Sequence, residues 1–177
     1  MDVRDETLRF NPAALPDSYF PKTAKVEEEL YPKHYLIPGT VFSSGEPFIV
    51  TTILGSGVAI SLWDDKAKVG GVNHFTLPEG EQTGNTKIAA EANAELLRQV
   101  LQRGVSISSL RAGIFGASQP PVGFSNAGKS IGTRNLEAAE AFLAQHGILV
   151  AKRETGGIRG RKLVFNTSDG STLARQL

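Results

Sequence analysis

The order of apolar and polar positions divides the chain into strand-like segments towards both ends and two helix-like segments between them. From residue 35 onward, short runs rich in β-branched and aromatic residues are separated by Gly, Pro and Asp, which is typical of strands and turns. The predicted strands cover residues 35–37, 41–42, 48–54, 58–63, 69–75, 110–115, 148–152, 161–166 and 171–177. The turn residues at 168–170 predict that the last two strands form a hairpin.

Two segments carry apolar residues at helical spacing. Residues 86–103 place an apolar side chain at every third or fourth position, and Gly104 follows as a helix stop. Residues 135–146 repeat this pattern, with Gly147 as the stop. Because the strands cluster before and after the helices, without regular βαβ alternation, the sequence predicts an α+β layered sandwich.

The two ends of the chain differ in regularity. Residues 1–33 contain four prolines and many charges, and they fit no periodic element, so we interpret them as an irregular N-terminal arm. Residues 34–177 then form one domain, since a chain of 177 residues has the length for a single core. Residues 116–132 form a long loop rich in Gly, Pro and Ser, of a length at which loops often carry function.

Composition excludes several classes of function. The net charge of +1 does not fit a nucleic-acid reader, whose domain is usually strongly basic. No apolar run approaches the roughly 18 residues that a membrane helix needs, and residues 1–33 lack a secretory signal. We therefore expect a cytoplasmic protein without membrane insertion. The chain has no cysteine, and its histidines (His34, His74 and His146) lie far apart, so we expect no metal site and no cofactor.

Three segments hold the candidate chemistry. Residues 51–57 (Thr-Thr-Ile-Leu-Gly-Ser-Gly) indicate a strand that ends in a glycine corner, where exposed N–H groups could form an oxyanion hole. Residues 70–78 place His74 on a strand beside glycines, where an imidazole could reach a neighbouring corner. Residues 155–162 add a glycine-rich turn and a small basic cluster. Such a cluster is usually a solvated turn, although it could also meet an acidic partner surface.

These segments resemble the motifs of the chemoreceptor glutamine deamidase (CheD) family. That family has Leu-Gly-Ser-Cys-Val-Ala-Val, Gly-Gly-x-x-His-x-x-Leu-Pro, Ile-Gly-x-Arg-Asn and a late Thr-Gly-Gly…Arg turn. The chain has similar segments in the same order, at residues 54–60, 70–78, 131–135 and 155–161. The resemblance extends from about residue 35 to residue 177 and implies a three-layer α/β/α sandwich with a mixed β-sheet.

The resemblance also implies a reaction, its residues and its partners. The family converts glutamine side chains of chemotaxis receptors to glutamate, through a cysteine thiolate that forms an acyl-enzyme and a water that hydrolyses it. By resemblance, His74 matches the base that activates the thiol. Thr51, six residues before the cysteine position, matches the third member of the site. The chemoreceptor cytoplasmic domain and a CheC-type phosphatase are the implied partners.

The chain departs from the family at the nucleophile. Gly57 occupies the cysteine position, and covalent catalysis is impossible there because glycine has no side chain. One hypothesis is therefore a non-catalytic homologue that binds the receptor or a CheC-type phosphatase. The other is an active glutamine deamidase whose cysteine has been removed, or which uses another nucleophile. Ser56 is a weak alternative nucleophile, because adjacent strand side chains point to opposite faces.

Two features also have less specific interpretations. Without its motif, His74 is a satisfied core histidine on a central strand. Residues 123–130 match the phosphate-binding loop pattern, which requires a strand directly before it and a helix directly after it. Residues 119–121 (Gln-Pro-Pro) precede it instead, and we expect Gly132 to interrupt any helix that starts at Lys129. The sequence thus favours a solvated loop over nucleotide binding.

Overall fold

The computed structural model describes residues 31–119 and 128–177. The strands in these ranges are β1 (Lys33–Tyr35), β2 (Thr40–Ser44), β3 (Ile49–Leu54), β4 (Val58–Asp64), β5 (Val69–His74), β6 (Arg111–Gly116), β7 (Leu149–Thr155), β8 (Arg161–Asn166) and β9 (Thr172–Gln176). The helices are α1 (Ala89–Leu101) and α2 (Ile131–Gln145), and a 3₁₀ turn lies at Ile107–Ser109. The expected irregular arm, residues 1–33, lies almost entirely outside the described residues.

The strands form two mixed sheets. One sheet has the order β1-β3-β8-β9, in which β1 and β3 are parallel and the other neighbours are antiparallel. The other sheet has the order β2-β5-β4-β6-β7, in which only β6 and β7 are parallel. The consecutive strands β3 and β4 therefore belong to different sheets. Residues 55–57, which we call the glycine corner, carry the chain from one sheet to the other.

Both helices pack on the same face of the five-stranded sheet. Leu96 of α1 and Leu143 of α2 are buried in one apolar cluster together with Val58, Ile60 and Leu62 of β4. The opposite face of this sheet packs on the four-stranded sheet. The buried residues between the two sheets are Leu36, Val50, Leu54, Ala59, Val72, Phe115, Leu163 and Phe165. Strand β4 is buried on both faces because alternate side chains point to the helices and to the second sheet.

The α+β class and the mixed pairing are confirmed. In the described part of the chain, the three layers are a helical layer, a five-stranded sheet and a four-stranded sheet. The resemblance implied helices for the third layer, and β1, β3, β8 and β9 occupy it here. The physical reason is that these strands carry an apolar face of their own, which covers the second face of the central sheet.

Helix α2 begins at Ile131, earlier than the start near residue 135 that the sequence predicted. Ser130 caps it, since the Ser130 side chain accepts a hydrogen bond from the Thr133 N–H at 3.1 Å. Gly132 lies inside the first turn, so the expected interruption was wrong. A Cβ at Gly132 would lie 2.6 Å from the Ser118 carbonyl oxygen, and the glycine therefore allows close approach of α2 to the chain that follows β6. Most of the phosphate-loop match lies outside the described residues.

Candidate functional site

His74 ends β5 and is almost completely buried, with 2% of its surface exposed. Its Nδ1 lies 2.9 Å from the Oγ1 of Thr52 on β3. The same hydroxyl donates to the Leu36 carbonyl oxygen at 2.8 Å. Because a hydroxyl has one proton to donate, Thr52 must accept a hydrogen bond from the Nδ1–H of His74. The imidazole is therefore held in the tautomer that leaves Nε2 as an acceptor.

The burial of His74 sets its charge as well as its orientation. Desolvation disfavours the imidazolium and lowers the pKa of His74 from 6.5 to about 4. At neutral pH the side chain is consequently an uncharged base with a free Nε2. This is the protonation state in which an imidazole can accept a proton from a nucleophile.

Gly57 faces this nitrogen. A Cβ placed on Gly57 would lie 2.8 Å from the His74 Nε2 and 2.9 Å from the Phe75 carbonyl oxygen. A side chain at position 57 would therefore point at the base, as a nucleophile must. The backbone also packs closely on the glycine, so a side chain at this position requires the imidazole and the Phe75 carbonyl group to move by a few tenths of an ångström.

The glycine corner is held by its carbonyl groups. The Gly55 carbonyl oxygen accepts from the Ser118 N–H, and the Gly57 carbonyl oxygen accepts from the Ala117 N–H, both at 2.9 Å. These donors directly follow β6, which pairs with β4 in the five-stranded sheet. The corner is thus fixed to a neighbouring strand that lies far away in the sequence.

The third carbonyl group of the corner is held by a side chain. The Ser56 carbonyl oxygen accepts from the Nδ2 of Asn135 on α2 at 3.0 Å. In each trans peptide the N–H group points away from the C=O group. The N–H groups of Ser56 and Gly57 therefore point away from the donors that bind the carbonyl oxygens of the corner. Within residues 31–119 and 128–177, the N–H groups of Ser56 and Gly57 have no hydrogen-bond acceptor. Such adjacent N–H groups form a concave site that favours a negative oxygen.

The structure places Thr52, and not Thr51, against His74. Alternate residues of a strand point to opposite faces, and in β3 the inward set is Val50, Thr52 and Leu54. Thr51 is only half-buried and lies on the same face as the exposed Ile53. The assignment of Thr51 from its spacing is therefore corrected to Thr52. The inward alternation of β3 was the signal in the sequence that could have identified it.

The other two candidates from the sequence are placed differently. Ser56 lies in the corner and is exposed. In the part of the chain that the structure describes, no hydrogen bond joins its side chain to His74. Gly57 and His74 are brought together as the motifs implied. The geometry thus unites Gly57, His74 and Thr52 and leaves the Ser56 hydroxyl outside this group.

Two residues of the site were not recognised from the sequence. Asn135 was part of a motif without an assigned role, and it is completely buried beside the corner. Arg161 was interpreted as part of a solvated basic turn, and it is 6% exposed. Its guanidinium group donates to the carbonyl oxygens of Gly116 and Glu154 at 2.7 Å and of Gly156 at 2.9 Å. Arg161 therefore joins the ends of β6 and β7 next to the corner, through contacts that a linear pattern does not reveal.

Large exposed apolar side chains surround this end of the molecule. In the described ranges there are seven of them, and each lies at or just beyond the corner end of a strand or at the start of α2. They are Tyr35, Ile37, Ile53, Leu77, Ile131, Ile158 and Leu177. Exposed apolar residues concentrated in one region are typical of interaction surfaces. We call this set the apolar rim.

A separate open groove of about 510 Å³ lies between α1 and β2. Its walls include Thr40 and Val41 of β2 and Glu95 and Arg98 of α1. Arg98 donates to both carboxylate oxygens of Glu95, at 2.7 and 2.5 Å. The hydrogen bonds from Arg98 and Gln99 lower the pKa of Glu95 from 4.5 to about 2. The groove therefore carries the ion pair of Glu95 and Arg98, and Glu91 adds a second carboxylate to its walls.

Two other kinds of feature are absent from the described residues. Nowhere in residues 31–119 or 128–177 do three or more His, Asp or Glu side chains come together as a metal site would require. None of the helices in these ranges is long and apolar enough to span a membrane.

Comparison with known proteins identifies the family. The family model for CheD chemotactic sensory transduction matches residues 76–176. The "Probable chemoreceptor glutamine deamidase CheD 1" of Anaeromyxobacter dehalogenans is 37% identical over 144 residues, which cover 81% of this chain and 84% of that protein. The "Probable chemoreceptor glutamine deamidase CheD" of Trichlorobacter lovleyi is 39% identical over 143 residues, which cover 80% of this chain and 88% of that protein. The chain belongs to the CheD family, which confirms the resemblance noted in the sequence.

A more distant likeness concerns structure alone. The chain is similar to the crystal structure of a Neisseria meningitidis protein of the DUF152 family model, with a TM-score of 0.40 and 11% identity. The matched region covers 72% of this chain and 63% of that protein. A likeness of this size supports no argument about fold or activity.

Proposed function

We propose that this chain is a CheD-family chemotaxis protein that retains the deamidase site without its nucleophile and acts by binding chemoreceptor cytoplasmic domains. The observation that supports this most directly is the position of Gly57, where a Cβ would lie 2.8 Å from the His74 Nε2. Without a thiol at this position, the acyl-enzyme of the family reaction cannot form. The same proposal places the protein in the cytoplasm, on the side of the membrane where that receptor domain lies.

The remaining parts of the site fit the family reaction. In a deamidation, a base takes the proton of the nucleophile. N–H donors then stabilise the negative charge that develops on the carbonyl oxygen of the amide. The neutral His74, oriented by Thr52 at 2.9 Å, suits the first role. The unbonded N–H groups of Ser56 and Gly57 suit the second. These features support descent from an active deamidase, in which the loss is confined to one side chain.

The apolar rim supports a binding role. Leu77 lies three residues after His74, and Ile131 lies one turn before Asn135, so a partner that covers them also covers the corner. A receptor segment that presents a glutamine side chain would bring its amide group to His74 and the corner. A CheC-type phosphatase is a second candidate partner for the same surface, and it would then compete with the receptor.

Titration calorimetry of the unmodified chain with a chemoreceptor cytoplasmic domain tests the proposal. We expect saturable binding, and we expect Leu77→Asp to weaken it at least about tenfold, because a charge in the centre of an apolar contact is poorly tolerated. Ser108→Asp is the matched control, since it adds the same charge at an exposed site before β6, at the opposite end of the sheet. Absence of binding, or equal loss in both variants, would contradict the proposal.

The second candidate function is a deamidase that is active with another nucleophile. Two observations favour it: the lowered pKa keeps His74 neutral, and the Ser56 and Gly57 N–H groups have no acceptor in the described residues. An inactive protein has no chemical need for either feature. Ser56 is the nearest hydroxyl in the sequence, but its exposed position gives it no bond to the base in the described residues. A water molecule would be a weaker nucleophile, and an oxyanion hole alone gives on the order of 10³–10⁴-fold over water in the serine-protease precedent.

A further inference from the structure

The side-chain amide of Asn135 holds together the two chain segments that form the site. Its Nδ2 donates to the Ser56 carbonyl oxygen at 3.0 Å and to the Thr76 carbonyl oxygen at 3.1 Å. Ser56 precedes Gly57 directly, and Thr76 lies two residues after His74. The two protons of one NH₂ group therefore connect the glycine corner to the end of the strand that carries the base.

The bond to Ser56 also decides the direction of an N–H group. In a trans peptide unit, the C=O and N–H groups point in opposite directions. The peptide between Ser56 and Gly57 has its C=O directed at Asn135, so the Gly57 N–H points away from α2. In the described residues this N–H has no acceptor. A glycine backbone can rotate easily, and the bond from Asn135 opposes rotation of this peptide.

Asparagine suits this position better than any other side chain. An aspartate would place oxygen atoms against two carbonyl oxygens, and a serine or alanine would not span both acceptors. The arrangement also has a cost, because the Asn135 Oδ1 is buried without a hydrogen-bond partner in the described residues. A buried side-chain amide with an unbonded oxygen needs an explanation. The two hydrogen bonds that its Nδ2 donates to the site explain why an asparagine is present here.

We propose that Asn135 is a positioning residue that fixes the Gly57 N–H as an oxyanion donor and sets its place relative to His74. This inference deepens the proposed function, since it concerns the same corner. Asn135 touches neither substrate nor base and acts only through the Ser56–Gly57 peptide and the Thr76 carbonyl group.

The first test uses the unmodified chain and no receptor. In ¹⁵N NMR spectra, the Asn135 side-chain protons are expected to exchange slowly with solvent, since both are bonded and the residue is completely buried. Asn135→Asp is expected to shift or broaden the Gly57 amide resonance. The matched control is Asn93→Asp, because Asn93 is an equally buried asparagine on α1 that bonds to Asn73 and not to the corner. It is expected to leave the Gly57 resonance in place.

The second test adds catalysis in a Gly57→Cys background. Loss of an oriented oxyanion donor is expected to lower kcat about 10²-fold with little change in KM, because the interaction forms only in the transition state. A purely structural Asn135 would lower the melting temperature and the folded fraction, but it would not selectively lower the kcat of the protein that remains folded. If Asn135→Asp does not fold, Asn135→Ala gives the same comparison without a charge.

Fast exchange of the Asn135 side-chain protons, or a Gly57 resonance that is unchanged in a folded Asn135 variant, would overturn the inference. An unchanged kcat in the Cys background would do so as well. Failure of the receptor-binding proposal has a different signature, since it leaves the NMR results of the free protein intact.

Discussion

The glycine corner and the α1–β2 groove differ in what holds them and in what they can do. The groove is an open region of about 510 Å³, and on its α1 wall Glu95 and Arg98, which are three residues apart, form an ion pair. The corner is held by donors from the chain that follows β6 and from α2, which lie far away in the sequence. The corner lies beside His74, whose Nδ1 bonds to Thr52, and within the described residues the Ser56 and Gly57 N–H groups have no acceptor.

The difference shows that the open groove and the site with a neutral base are separate features of this fold. None of the described side chains that line the groove is a histidine, and the carboxylate of Glu95 is bonded to Arg98. A junction between two sheets brings together backbone groups from several strands, and it can hold a neutral imidazole in a dry environment. The junction therefore carries the candidate function, and the substitutions described next test the distinction between the two regions.

The largest effect is expected from the base. In a Gly57→Cys background, His74→Asn is expected to lower kcat/KM by about 10²–10⁴-fold, the usual contribution of a general base. Steady-state assays of glutamine deamidation measure this. Glu95→Gln in the same background is the control from the groove, and it is expected to leave kcat/KM unchanged. Equal losses in both variants would remove the distinction between the two regions.

The next effect concerns the residue that orients the base. Thr52→Val keeps the shape but leaves the Leu36 carbonyl group and the His74 Nδ1–H unpaired in the interior, which is expected to cost about 1–3 kcal/mol of stability. Urea denaturation measures the loss. Thr51→Val, one residue away on the outward face, is expected to change stability by less than about 0.5 kcal/mol. A larger loss of stability in Thr51→Val than in Thr52→Val would identify Thr51 as the residue that orients His74.

The two regions are also expected to respond to acid in different ranges of pH. Burial lowers the pKa of His74 from its ordinary value of 6.5 to about 4 in the folded protein, so the unfolded chain binds more protons between these values. Stability should therefore fall as pH decreases from about 6.5 towards 4, by at most about 1.4 kcal/mol per pH unit. Urea denaturation at several pH values measures the slope, and His74→Asn should reduce it.

The ion pair of the groove responds at lower pH. The pKa of Glu95 is lowered from 4.5 to about 2, so its contribution is present above pH 4.5 and is lost as pH falls towards 2. A slope between pH 4 and 6.5 that survives His74→Asn would show that another group causes it.

The smallest effect is expected from the groove itself. Glu95→Gln removes an exposed ion pair, and such pairs contribute little to stability. Receptor affinity measured by calorimetry is expected to stay within about twofold, since surface changes away from the contact have small effects. A large loss of affinity would identify the groove, and not the apolar rim, as the binding surface.

The strands and helices could be predicted from the sequence because each depends on a local pattern. Both helices were found, and so were the predicted strands, except that the first lies at Lys33–Tyr35 and shares only Tyr35 with the predicted residues 35–37. Gly104 and Gly147 have the positive φ of helix stops. The start of α2 was misplaced because Gly132 was interpreted from its low helix propensity alone. Its role depends on a contact with Ser118, and a propensity scale does not contain that contact.

The candidate site was predictable only as far as its motifs extend. Gly57 and His74 were placed together by resemblance. Thr52 was missed because spacing counts residues and ignores the face of the strand. Asn135 and Arg161 were missed because they act through hydrogen bonds to backbone carbonyl oxygens of distant segments. No periodicity in the sequence marks which carbonyl group a side chain will reach.

The central claim is that the site lacks only its nucleophile, and Gly57→Cys tests it most directly. The variant, the unmodified chain and Gly57→Ala are each incubated with a chemoreceptor cytoplasmic domain, and mass spectrometry follows the conversion of glutamine to glutamate. Gly57→Ala adds the Cβ without a thiol, and so controls for the displacement of the Phe75 carbonyl group.

We expect conversion by the Cys variant alone. Conversion by the unmodified chain at a comparable rate would contradict the account, and so would a folded Cys variant that binds the receptor and converts nothing.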